Sequence, residues 1–168
     1  MPWTTPGTAT AGEVLTAAFW NTQVRDNMVE LAPFFATWTS YSPTVEQVST
    51  RTSTIQNARY VTVGKRIRVN ASMTVTQAGT AGQHIAVTLP TALVSRITAA
   101  DHAVGSFFYQ RAAGTRYAGT AIIAVGYTGS SKVVFISGSA GTSLLGIDPS
   151  FATANGDILS FTVEYEIS

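Results

Sequence analysis

"KRIRVNASMTVTQ", Lys65 to Gln77, is the stretch on which the fold turns. Ile67, Val69, Ala71, Met73 and Val75 fall on every second position, with Arg66, Arg68, Asn70, Ser72 and Thr74 between them. Successive side chains of a strand point to opposite sides, so this period of two predicts a strand with one buried and one solvated face.

The same reading extends along the chain. "HIAVTLP" (84–90) alternates through Ile85, Val87 and Leu89. "VGSFFYQ" and "YAGTAIIAVGY" flank a turn at Gly114, and "KVVFIS" follows "TGSSK". A glycine-rich loop over 137–156 leads into "DILSFTVEYEI", which sets Phe161, Val163, Tyr165 and Ile167 on one face. About eight short strands with turn residues between them predict a mainly β fold, an antiparallel β-sandwich or jelly-roll-like knob over 36–168. Phe107, Phe108 and Tyr109 are contiguous, so at least one of these rings faces away from the core.

The amino end reads differently. Residues 1–10 are rich in Pro, Gly and Thr, and "AGEVLTAAFWNTQVRDNMVELA" (11–32) is the clearest helical stretch. A helix over about 16–32 starts at Thr16, whose hydroxyl can cap an early N–H, and stops before Pro33. Ala17, Trp20, Val24, Asn27 and Leu31 follow a 3-4-3-4 spacing, the seam of a short coiled coil with one polar position. Two heptads are marginal in water. The helix therefore docks on its own domain, around a symmetry axis or on another protein, and Trp20 is the kind of side chain that anchors an interface. The boundary with the knob falls near residue 35, after an attachment segment of residues 1–35.

Composition narrows the function. Charged residues make up 11% of the chain, less than half the usual quarter, and polarity comes from 25 Thr and 15 Ser. So sparsely charged a surface suits a protein partly covered by copies of itself. The net charge of +1 argues against nucleic acid. Five of the ten basic residues do crowd between Arg51 and Arg68, as a solvated strand face or as a contact for phosphate or an anionic glycan. There is no cysteine, hence no disulfide or thiolate metal site. The start lacks a signal peptide, and no apolar run is long enough to span a bilayer.

Chemistry-bearing patterns are sparse. His84 and His102 have no metal-ligand spacing, and no serine sits on a nucleophile turn near Asp101 and His102. Glu164 and Glu166 share a strand face and are the nearest thing to a glycosidase pair. "GSAGTS" (138–143) lacks the lysine and the helix of a phosphate loop. The sequence thus gives no catalytic, cofactor or metal site. Tyr109, Tyr117 and Tyr127 are candidate ligand contacts, since an exposed ring can stack on a sugar or a partner. Core packing competes for the same rings.

"WTTPGTATAGEVLTAAFWNTQVRDN" (Trp3–Asn27) resembles a segment at the start of many tail and minor structural proteins of tailed bacteriophages, especially those of actinobacteria. "YSPT" (41–44), "ARYVTVGKRI" (58–67), "VTLP" (87–90), Tyr117 with Gly119, and "NGDILSFTVEYE" (155–166) are similar, in order, to β-rich end domains of such proteins. The resemblance covers most of the chain and supplies no active site. It implies a non-enzymatic virion protein, a homotrimer attached to other virion proteins through its amino terminus, with Trp3, Leu15, Trp20, Val24, Asn27 and Leu31 at the attachment or oligomer interface. It implies assembly in the host cytoplasm and exposure on the particle, with a tail-tip knob that contacts a host surface glycan. A capsid decoration or head-fibre protein is the second expectation, and a polysaccharide-degrading enzyme a remote third.

Overall fold

A computed structural model describes residues 16–31, 37–90, 102–123, 132–137 and 143–167. The protein is mainly β, with one short helical segment before a curled antiparallel sheet. Its ten strands are β1 (Thr39–Ser40), β2 (Val45–Gln47), β3 (Ser49–Arg51), β4 (Ser53–Val63), β5 (Arg66–Val75), β6 (Ala86–Thr88), β7 (His102–Gln110), β8 (Arg116–Ile123), β9 (Lys132–Ser137) and β10 (Ile158–Glu166). They form one sheet in the order β1-β4-β5-β10-β7-β8-β9-β6-β2-β3, every pairing antiparallel.

The sheet curls so that its apolar face buries against itself, with Ile85, Leu89, Leu145 and Phe151 from the connecting segments filling the same core. Phe135 of β9 and Phe161 of β10 are three strand places apart, about 14 Å on a flat sheet. Their ring centroids stand 5.7 Å apart. The core formed this way gathers Val45, Ile67, Met73, Val87, Phe107, Phe135, Leu159 and Val163, from both halves of the sheet. The alternating residues of β5 and β10 read from the sequence all point into it.

Where β6, β8 and β9 meet, both faces are covered. Ala86, Ile122 and Val134 lie in one register row on the far side and form a second small cluster with Leu144. The runs Ala121–Ile123 and Val133–Phe135 are buried at every position, which is why they read as unbroken apolar words.

Two buried polar side chains fasten the loops to this body. Gln47 donates from Nε2 to the carbonyls of Gln83 and Phe151, both at 2.9 Å. Its Oε1 accepts from the N–H groups of Thr153 and Thr80, at 2.9 and 3.2 Å. All the hydrogen-bonding capacity of the amide nitrogen and oxygen is used, so the buried group carries no desolvation deficit. Asp157 accepts from Tyr109 Oη at 2.5 Å and from the N–H groups of Ala112 and Ala154, both at 2.8 Å. It ties the β7–β8 turn to the start of β10. Gly105 sits beside an irregularity in β7, where a Cβ would stand 1.9 Å from the carbonyl oxygen of Thr162. Only glycine allows β7 to lie that close to β10.

The amino-terminal segment runs as α1 (Ala17–Trp20), a π-helical stretch (Asn21–Asp26) and α2 (Asn27–Leu31). Thr16 caps it, its Oγ1 accepting from Phe19 N at 3.2 Å. The expected seam is broken. A π-helical turn holds more residues than an α-helical one, so it shifts the stripe between Trp20 and Asn27 off the 3.5-residue period.

Candidate functional surface

The outward face of β4, β5 and β10 is built by the same alternation that builds the core. Register fixes who stands beside whom. Val61 pairs with Arg68, and Arg68 with Glu164; Val63 pairs with Arg66, and Arg66 with Glu166. At the sheet edge Thr39 pairs with Tyr60, which sets Trp38 next in line beside Val61. Trp38, Val61, Val63, Arg66, Arg68 and Glu164 line a groove of about 330 Å³. That volume lies at the small end of ligand sites.

The groove has an apolar wall and a cationic one. The Arg59 guanidinium lies 4.8 Å from the centroid of the Trp38 ring, within cation–π range, and holds the indole at the edge. The ring is still 38% exposed. Glu164 stands opposite Arg68 in register, yet its carboxylate reaches diagonally to Arg66 at 3.3 Å. Arg68 has no ion-pair partner among the described residues.

Farther along the same face the surface is neutral and hydroxylated. Asn70, Ser72, Ser106, Ser160, Thr162 and Phe108 line a second, shallower depression of about 330 Å³. Ser72 and Ser160 share a hydrogen bond at 2.9 Å across β5 and β10. Phe108, 41% exposed, is the outward ring of the three contiguous aromatics.

Of the candidate ligand tyrosines, Tyr109 and Tyr117 are not on this surface. Tyr109 has no exposed area: it faces the core, and its hydroxyl goes to Asp157. Burial, reinforced by that carboxyl, pushes its pKa far above the ordinary tyrosine value. A ring without an open face cannot stack on a ligand, so Tyr109 is corrected to a core residue. Tyr117 is half-buried and stacks on Phe151, centroids 5.2 Å apart and 6° from parallel. That face of its ring is already occupied. Tyr127, Trp3 and Leu15 lie outside the described residues, as does the Leu31 side chain.

The interface candidates of the helix separate by environment. Trp20 is 55% exposed, Val24 is half-buried and Asn27 is buried. Met28 and Val29, at 64% and 62% exposure, join Trp20 as large apolar side chains open to solvent. Sequence reading missed both, because they lie off the expected seam.

Glu164 and Glu166 point outward and are exposed, and Glu164 is the partner of Arg66. At the other end of the sheet Lys132 pairs with Glu46 at 2.7 Å. His84 lies close enough to feel both charges. Desolvation lowers its pKa below the usual 6.5, opposed by Glu46 and aided by Lys132. The described residues contain no cluster of three or more metal-ligating side chains.

Trp38 was hidden in "PFFATWTSYSPT", which has no long period. Trp38, Thr39 and Ser40 are all exposed, so no alternation marks the indole in this stretch. Comparison with known protein families, curated proteins and solved structures gives no match for the chain.

Proposed function

We propose that this chain is a non-enzymatic structural protein of a bacteriophage virion: a homotrimeric tail or tail-tip knob, attached through its amino-terminal segment and turned toward the host surface. In this reading the two halves of the curled sheet are the layers of a sandwich or jelly-roll knob, and the helix is the plug.

The observation that carries the proposal is the exposure of Trp20, Met28 and Val29 on one short helix. Fully burying side chains of this kind contributes roughly 1.5–3 kcal/mol each. A 15-residue helical segment gains little from its own hydrogen bonds. Covering these residues with sister copies or with the particle supplies what the isolated segment lacks. The phage-like words of the attachment segment and the low charge of the chain support the same reading.

Mass spectrometry and immunogold labelling of purified particles test it. The chain is expected at the tail or its tip, and Trp20→Ala is expected to be missing from particles while its β body stays folded. Labelling on the capsid would shift the assignment to a decoration protein. Absence of the wild-type chain from particles would refute the virion role. Release of product from host-wall glycans, abolished by Glu166→Gln, would refute the non-enzymatic one.

A further inference from the structure

We infer that the groove between Trp38 and Arg68 is a binding site for an acidic saccharide, one carrying uronate carboxylates or phosphodiesters. The inference names the ligand class of the surface contact proposed above and rests on that reading for its biological setting.

Three features of the groove define the ligand. Trp38 and Val61 offer an apolar wall that matches the C–H face of a sugar ring, and Arg59 fixes the indole in place. Arg68 supplies a guanidinium that no carboxylate neutralises among the described residues, and a planar fork of donors suits carboxylate or phosphate. Arg66 is the second cation. Its side chain is 70% exposed and that of Glu164 51%, so their 3.3 Å pair is worth little and can be exchanged for a ligand anion.

The neighbouring surface favours a saccharide over other polyanions. The register row from Arg59 continues through Asn70 and Thr162 to Ser106, from β4 to β7. Three strand spacings make that row about 14 Å long. Uncharged hydroxyl and amide groups along it can exchange hydrogen bonds with sugar hydroxyls, and Phe108 offers a second ring beyond them. A nucleic-acid surface would carry cations along its whole length, whereas the row from Asn70 through Thr162 to Ser106 carries none.

Isothermal titration of the full-length protein tests the site with four probes: an oligogalacturonate, a glycerol-phosphate oligomer, a neutral malto-oligosaccharide and an oligothymidylate. One or both acidic glycan probes are expected to bind, and the one that binds identifies the anion. Affinity should fall at least tenfold in Trp38→Ala and in Arg68→Gln, fall as sodium chloride is raised, and stay within twofold of wild type in Arg116→Ala. Circular dichroism should show both exposed-site variants folded. The inference is overturned by no binding of either acidic glycan at millimolar concentration, by equal binding of the neutral probe, by tighter binding of the oligothymidylate, or by affinity that neither variant changes. A changed oligomeric state in Arg68→Gln without saccharide binding would make the groove a contact between copies and also overturn it. Particles that contain a chain unable to bind either acidic glycan would refute this site and leave the virion role standing. A chain that binds but never enters particles would do the reverse.

Discussion

Gln47 is a polar side chain with no exposed surface, and Trp20 is an apolar one more than half exposed. The two mark regions built on opposite terms. The β body closes most of its apolar face into one core, and its buried Gln47 amide and Asp157 carboxyl are held by loop backbone groups and, for Asp157, by Tyr109 Oη as well. The amino-terminal helix leaves large apolar side chains in water. The contrast teaches that a polar group can belong to a finished interior when every hydrogen bond is made. In the reading proposed above, the apolar groups of the short helix are instead covered by a contact outside the subunit.

Asp157→Ala is expected to break the finished half most severely. It strands Tyr109 Oη and two backbone N–H groups. Buried donors left unsatisfied cost about 1–3 kcal/mol each, so a loss of roughly 4 kcal/mol in urea unfolding is predicted. A loss under about 1 kcal/mol would show that water replaces these bonds. Gln47→Ala comes next, at roughly 3 kcal/mol, because it frees the loops around Thr80, Gln83 and Thr153 together. Proteolysis should then cut near residues 80–83 or 151–153 before the strands.

Trp20→Ala sharpens the contrast from the other side. Under conditions where the chain is monomeric, β-body stability should change by less than about 0.5 kcal/mol, as for an ordinary surface substitution. A loss like that of Gln47→Ala would place Trp20 within the core's cooperative unit.

The smallest expected effect is on pH dependence. The pKa of His84 is lowered in the folded protein, so the unfolded chain binds the proton more readily. Its contribution to stability is therefore complete above pH 6.5, the ordinary value, and is lost as pH falls through the depressed one. Subtracting the urea-unfolding curve of His84→Gln from that of wild type, between pH 7.5 and 5, should reveal a small decline toward acid. A difference independent of pH would contradict it.

What could be read from the sequence follows the same division. β5 and β10 were legible because each has one buried and one open face, which is what alternation encodes. β4 was not, since Ala58 is its only fully buried side chain and a register shift between Ile55 and Asn57 breaks its period. The phase of Phe107–Phe108–Tyr109 was ambiguous until pairing with β10 and β8 turned Tyr109 inward. The groove was legible only in part. Clustered arginines could be counted, but their meeting with Trp38 depends on the register of β1 on β4 and of β4 on β5.

Light scattering coupled to size exclusion, run over a range of concentrations on the wild-type chain and on Trp20→Ala, bears most directly on the unfinished helix. The account predicts a trimer for the wild type that dissociates to folded monomers in the variant. A wild-type chain that remains a monodisperse monomer at every concentration, and assembles no differently from the variant, would contradict it.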